Sequence, residues 1–239
     1  MSTGVGVRAA WTALAAVQKP GHGVPWYMRV VNRRLGRAVA AALSTTRVSP
    51  DQVTLTSGLV TAAGLVVLVL SPVGVATACI VVVLLQVGLA LDAADGQLAR
   101  LTGRGSVAGE WTDHVVDVAR TVCLHLAVAV ALVRHGHVAT SWALLSLAFG
   151  VVATVRFHAQ VLAEQLHRAA PGPVSTGRDP RRSGWLQLPA DTGVVNAVLL
   201  LWSWPAAFLV GYGGLAAANA VLLGATLVRR RRDLSGGPR

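Results

Sequence analysis

The stretch "DAADGQLARLTGRGSVAGEWTDHVVD" runs from Asp92 to Asp117 and holds five of the chain's ten acidic residues. Strongly apolar runs flank it, "VVVLLQVGLAL" before and "TVCLHLAVAVAL" after. Asp92 and Asp95 are three apart and Asp113 and Asp117 four apart, so on helices each pair shares a face. The intervening "LTGRGSVA" lets the chain double back. Four carboxylates from two antiparallel helices can then converge on one point. Unpaired, they would repel, and burying them near lipid costs on the order of several kcal/mol. A cationic partner is therefore required. Oxygen donors in this number suit magnesium, manganese or calcium better than zinc. Four shared carboxylates can hold two ions about 3.5–4 Å apart. A solvated acidic loop explains less, because Asp113 and Asp117 already lie in the apolar flank. A cation-channel vestibule fits poorly too, since nothing resembles a selectivity filter.

Small and basic residues accompany the acids. Gly96 and Ala99 follow Asp95 on the same helix, and Gly109 precedes Asp113 by one turn. A missing side chain admits a bulky ligand to the backbone; close helix packing accounts for small residues equally well. Arg100 is placed to meet a phosphate or one of the aspartates, or simply to snorkel. Arg156 stands within the apolar "VVATVRFHAQVLAEQ", where an arginine is costly and marks a functional candidate. The alternative pairs it with Glu164 or with the aspartates. Arg120, one turn beyond Asp117, has the same two readings. The seven histidines form no spaced metal set. His114 neighbours Asp113 but points off its face.

These groups need helices to hold them, and the composition says where those helices lie. The 239 residues are 54% hydrophobic and 13% charged, with mean hydropathy +0.58. A soluble domain carries about 25% charged residues. The clustering of the apolar residues points to membrane. A net charge of +11 could suggest nucleic acid. Basic loops facing a cytoplasmic leaflet explain it better, so no nucleic-acid partner is expected. Cys79 and Cys123 both fall in apolar runs, against a disulfide framework. No signal peptide is expected, and the spans themselves provide targeting.

The expected fold is all-α: a polytopic integral membrane protein of six transmembrane helices with an N-terminal interfacial amphipathic helix. The spans fall near 53–70, 73–91, 110–133, 138–162, 193–210 and 215–228. "SPVG", "RHGH" and "GYGG" supply turns, and the sixth span is short. Residues 1–25 read as a flexible tail. Residues 26–48 form a juxtamembrane helix with Arg29, Arg33 and Arg37 at four-residue spacing. Residues 49–228 form the transmembrane catalytic domain and 229–239 a basic tail. Of the lysines and arginines only Arg134 falls in an outer turn. Both termini and the acidic cluster are thus expected on the cytoplasmic side of the cell membrane.

The acidic segment resembles the signature of the CDP-alcohol phosphotransferases (the CDP-alcohol phosphatidyltransferase family), D-x2-D-G-x2-A-R-x8-G-x3-D-x3-D. Asp92, Asp95, Gly96, Ala99, Arg100, Gly109, Asp113 and Asp117 all stand at the required spacing. "VSPDQVTLTSGL" is similar to the family's lead into its first span, with Asp51 where asparagine is common. The likeness covers about residues 26–228 and weakens after the fourth span.

The resemblance implies transfer of a phosphatidyl or other substituted phosphoryl group from a CDP-linked donor to an alcohol, releasing CMP, in phospholipid biosynthesis. It implies two divalent cations, Mg2+ or Mn2+, held by Asp92, Asp95, Asp113 and Asp117, with Asp117 also the base for the incoming hydroxyl. Gly96, Ala99, Arg100 and Gly109, with Thr54, would shape the cytidine diphosphate pocket. Arg156 and Arg120 are the candidates for a phosphorylated acceptor such as an inositol or glycerol phosphate. CDP-diacylglycerol is the favoured donor; a soluble CDP-alcohol such as CDP-inositol is the alternative. A small cation or solute transporter is the alternative of another class. The family's habit implies a homodimer among membrane lipids.

Two features bear on the acceptor. "LPADTGVVNAVL" carries Asp191 and Asn196 but lacks the arginine that inositol-phosphate branches carry near this point. "KPGHGVPWYMRVVNRRLGR" is similar to the opening of branches that join two inositol units. The two pull apart, and the acceptor is left unnamed.

Overall fold

A computed structural model describes residues 6–16, 25–136, 139–169 and 185–235. The chain is all-helical there: α1 (Val7–Ala16), α2 (Arg33–Leu43), α3 (Pro50–Leu70), α4 (Val75–Thr102), α5 (Val107–His135), α6 (Ser141–Ala169), α7 (Thr192–Val198) and α8 (Pro205–Ser235). A π-turn, Met28–Asn32, leads into α2, and 3-10 turns at Leu188–Ala190 and Leu199–Ser203 flank α7. The expected turn at "RHGH" includes 137–138 and the polar loop includes 170–184; these residues lie outside the described ones.

Local sequence sets the helix ends nearest the acidic cluster. Ser49 and Gln52 form a reciprocal cap at the start of α3, with Pro50 in its first turn. α4 ends on Gly103, whose φ of 66° suits glycine, and α5 starts where Ser106 Oγ accepts from the Gly109 amide at 2.9 Å. The hairpin expected from "LTGRGSVA" is therefore closed by one left-handed glycine and one serine cap.

α3, α4, α5, α6 and α8 are each long and apolar enough to cross a membrane. Their outward faces carry exposed Leu59, Val66, Val83, Val130, Leu144, Val151 and Val221, whereas Ser57, Thr61, Asn196 and Asn219 are buried. Apolar groups outside and polar groups inside are what a lipid surround selects. The protein is an all-α, multi-pass membrane protein.

The fifth and sixth expected spans need correction. No turn forms at "GYGG": α8 runs unbroken from Pro205 to Ser235. The chain instead reverses at Trp204, which leaves helical geometry just before Pro205. Asn219 Nδ2 donates to the Pro189 carbonyl at 2.8 Å, so α8 returns alongside the segment that precedes α7. The glycines serve packing. A Cβ on Gly211 would stand 3.3 Å from Leu201, and one on Gly213 would stand 3.4 Å from Trp142. Thr192–Ser203 is apolar but only twelve residues long. At about 1.5–2.0 Å per residue it extends roughly 20 Å, short of a hydrocarbon core of about 30 Å.

Within the segment expected as a tail, α1 forms a helix with Ala10 and Leu14 fully buried. Residues 1–5 and 17–24 lie outside the described ones. Arg37 sits over the Trp11 ring, 4.0 Å from its centroid, and donates to the Trp11 carbonyl from Nε at 2.7 Å. α1 and α2 together bury Ala40, Ala41, Ala94 and Leu98. Ala94 and Leu98 belong to α4, the helix that carries Asp92 and Asp95.

α3 packs along both α4 and α5. Small residues make the α3–α4 contact tight: a Cβ on Gly88 would stand 3.1 Å from the Ser57 carbonyl oxygen. α4 and α5 do not pack closely on one another, and the gap between them at this end of the bundle houses the charged residues. At the opposite end Leu68, Val81, Leu85, Leu124, Val128, Phe149 and Phe208 form an apolar core. There His125 Nδ1 and the Tyr212 hydroxyl lie 2.6 Å apart, and Ser146 Oγ donates to the His125 carbonyl at 2.8 Å, tying α5, α6 and α8 together.

Candidate active site

The last turns of α4 and the first turns of α5 bring the four signature aspartates together. One ligand oxygen from each of Asp92, Asp95 and Asp113 lies within 4.8 Å of the other two. A second group shares Asp113: ligand atoms of Asp113, His114 and Asp117 also lie within 4.8 Å of one another. Asp113 thus belongs to both groups. This is the geometry that four carboxylates on two helices were expected to produce.

Asp92, Asp95 and Asp117 are held by partners in neighbouring side chains and backbone. Arg120 Nη2 donates to Asp92 Oδ1 at 2.9 Å and its Nη1 to Asp117 Oδ1 at 2.8 Å. Its Nη2 also reaches Ser57 Oγ at 3.0 Å. Only 6% of the Arg120 side chain is exposed. That guanidinium is committed to the aspartates, the second of the two readings open to it. The buried Asp95 carboxylate accepts from the Thr54 hydroxyl and from the Gly96 amide. Thr54, expected near the pocket, therefore touches the acidic group itself.

Charge favours a cation here. Four carboxylates converge in this half-buried site, with Arg120 bonded to two of them and Arg100 lining the cleft beside Asp95. Converging oxygens of this kind fit small hard divalent ions.

A cleft of about 630 Å³ opens beside the aspartates. Pockets of roughly 300–1,000 Å³ hold ligands of nucleotide size. Thr54, Asp95, Gly96, Ala99, Arg100, Gly109 and Asp113 all line it. Every residue assigned to a nucleotide from sequence thus faces one space. A side chain on Gly109 would crowd Asp51 Oδ1 at 3.0 Å and Ser106 Oγ at 3.1 Å. Asp92 and Asp117 are not among its lining residues; both are held by Arg120. A small cavity among Val73, Trp202 and Phe208 at the opposite end is almost wholly apolar and suits no phosphate.

Residues not singled out from sequence complete the cleft. Arg104 stands just past Gly103, where α4 has already ended, so no helical spacing announces it. Arg168 comes from the far end of α6 and donates to Glu110 Oε1 at 2.6 Å across the cleft wall. Hydrogen bonding and charge from Glu110 push the Arg168 pKa up. No local pattern announces this pair, which is 58 residues apart.

Arg156 is elsewhere. Its Nη2 donates to the Ala190 carbonyl at 2.8 Å, its Nη1 approaches Gln160 at 3.5 Å, and its buried Nε has no hydrogen-bond partner. It does not line the cleft. Nearby Asp191, 1% exposed, caps α7 by accepting from the Gly193 amide at 3.0 Å and also accepts from the Met28 amide at 2.7 Å. Burial pushes the Asp191 pKa up, against the opposing pull of those amides and of Arg156. Asp191 thus ties the lead into α2 to the start of α7.

The fold and site define a membrane protein with a carboxylate-rich centre suited to divalent metal and set beside a polar cleft. The family model for CDP-alcohol phosphatidyltransferase matches residues 47–228, and the chain belongs to that family. Its membership and its clustered Asp and His residues support metal-dependent chemistry of the CDP-alcohol phosphotransferase type. No curated protein matches the chain.

Proposed function

We propose that the protein transfers a phosphatidyl group from CDP-diacylglycerol to a phosphorylated polyol such as inositol phosphate or glycerol phosphate, releasing CMP. The carrying observation is the convergence of Asp92, Asp95, Asp113 and Asp117 beside a cleft lined by Thr54, Gly96, Ala99, Arg100 and Gly109.

In this reading the four aspartates hold two divalent ions, Mg2+ or Mn2+. When bound, these supply charge neutralisation and polarisation of the attacked phosphorus. Arg100, from the same helix as Asp95, meets the diphosphate. Gly96, Ala99 and Gly109 leave room for the nucleotide against the backbone. Asp117 accepts the hydroxyl proton of the acceptor as the new oxygen–phosphorus bond forms, and CMP departs with the electrons of the broken bond. Arg120 orients Asp117 and Asp92 and is their countercharge, not the acceptor's ligand. Arg156, with its uncommitted Nε, is the candidate for the acceptor's phosphate. Positioning and charge carry most of the catalysis, and no covalent nucleophile is required.

Thr192–Ser203 makes a sixth, shortened crossing that pairs with α8, and α2 lies in the interface. Basic residues concentrated at the acidic end support its placement in the cytoplasm together with both termini. The donor's acyl tails leave sideways between helices. The family's habit supports a homodimer.

The test is incubation of purified protein with radiolabelled CDP-diacylglycerol, Mg2+ or Mn2+, and a panel of alcohols that includes both polyol phosphates. Acceptor-dependent CMP release is expected, with label in a phosphorylated lipid product. Absence of CMP release with every acceptor and metal would remove the reading.

A further inference from the structure

The family signature leaves the position after its third aspartate open, and here that position is His114. On a helix wheel His114 lies about 100° from Asp113. It is nevertheless one residue from Asp113 and three from Asp117, so the three form a contiguous patch on α5. The structure closes this patch. A His114 ring nitrogen lies within 4.8 Å of an oxygen from each of Asp113 and Asp117. Two further observations point the ring toward a ligand. Its Nδ1 is buried without a hydrogen-bond partner, although ring nitrogens in folded proteins ordinarily find one. Its Nε2 is 4.0 Å from Glu110 Oε1, beyond hydrogen-bond length. Phe157 of α6, ring centroid 6.4 Å away, meets the ring at a steep angle and offers no acceptor.

We infer that His114 is a nitrogen ligand to the divalent ion held by Asp113 and Asp117, which makes the two metal positions chemically unequal. The inference rests on the metal-dependent reading above and extends it to a residue outside the signature. The Asp92, Asp95 and Asp113 group offers oxygen alone and suits Mg2+. The Asp113, His114 and Asp117 group offers two carboxylates and an imidazole. Imidazole shifts preference along the divalent series away from magnesium and toward Mn2+ and later transition ions. One position would then take Mg2+ readily while the other favours Mn2+ or Co2+.

Pulsed electron paramagnetic resonance on Mn2+-loaded full-length protein tests this without reading turnover. The protein carries 15N-labelled histidine and no added histidine tag, and Mn2+ stoichiometry is measured alongside. The wild type should show 15N hyperfine coupling to bound Mn2+. His114→Gln should lose that coupling. His114→Asp, which restores an oxygen ligand, should keep Mn2+ bound yet show no coupling. Bound Mn2+ without nitrogen coupling in the wild type, or coupling that survives in either variant, would overturn the inference and leave the aspartate centre standing. A wild type that binds no Mn2+ would overturn both.

Discussion

Asp92 of α4 and Asp117 of α5 share one guanidinium: Arg120 reaches the first at 2.9 Å and the second at 2.8 Å. α4 and α5 do not pack closely on one another, and this bridge is a direct polar link between the two halves of the acidic group. It keeps the carboxylates within a few ångströms while limiting their mutual repulsion. The Ser57 hydroxyl, 3.0 Å from the same guanidinium, ties α3 into the bridge. Three helices therefore meet at one side chain that the family signature does not contain.

Thr54 supports the site from α3. Thr54→Val keeps the shape of the side chain and removes the hydroxyl that donates to Asp95. Removing one partner of a buried polar group costs about 1–3 kcal/mol. Weaker metal binding and a raised KM for the CDP-linked donor are expected, with the family of helices intact by circular dichroism. Unchanged metal affinity by calorimetry would show that this hydroxyl does not orient Asp95.

α2 braces the signature helix from behind. A Cβ on Gly36 would stand 2.7 Å from the Ala93 carbonyl carbon, a backbone atom that cannot swing aside. Gln97 fastens the same contact by donating to the Arg33 carbonyl at 3.1 Å. Gly36→Leu should therefore push α2 away from α4, at a cost of about 1–3 kcal/mol from overpacking. A lower melting temperature in detergent and reduced CMP release are expected. Leu35→Ala, at a neighbouring position 48% exposed, should leave both close to wild type.

Asp191 gives a pH dependence with a definite sign. Burial raises its folded pKa above the ordinary 3.8, so the unfolded chain loses this proton first as pH rises. The folded state binds more protons in that window, and stability must fall as pH increases through it. The contribution is fully present below about 3.8 and lost once pH passes the raised folded value. Asp191→Asn cannot titrate. The stability difference between wild type and variant should therefore move against the wild type as pH rises from acid toward neutral. Melting curves that stay parallel across this range would contradict the assignment.

Orientation is tested at the α4–α5 turn. Gly105 is exposed and lines the mouth of the cleft. With Cys79 and Cys123 replaced by serine, Gly105→Cys should react with an impermeant thiol reagent only after the membrane is opened to the cytoplasmic side. Labelling of intact cells from outside would invert the topology.

The site was legible in the sequence because its chemistry is local. Asp92 with Asp95, and Asp113 with Asp117, sit at helical spacings, and one glycine-containing turn folds the two pairs onto each other. The partners of those acids were not legible. Arg120 was readable as a helix neighbour of Asp117, but its reach to Asp92 and Ser57 depends on how three helices meet. A single helix face through Asp113 leaves His114 out, but a ring on a rotatable side chain covers more of the surface than its Cα position suggests. Glycine content alone makes "GYGG" resemble a turn. In lipid, those glycines let α8 approach Leu201 and Trp142, while the proline that opens α8 marks the real reversal. α1 is not legible locally, because its ten residues are stabilised by burial of Ala10 and Leu14 and by Arg37, which no local pattern records.

The central claim is that these four carboxylates form a metal-dependent centre for releasing CMP. It is tested most directly by CMP release from CDP-diacylglycerol, measured on chelator-stripped protein, on the same protein with Mg2+ or Mn2+ restored, and on Asp117→Asn. The account predicts no turnover without metal, recovery on its return, and a loss of about 10²–10⁴-fold in Asp117→Asn, the usual range for a positioned acid–base group. The variant should keep its fold, since Arg120 retains Asp92 and Ser57. Full CMP release from thoroughly stripped protein, or wild-type turnover in Asp117→Asn, would contradict it.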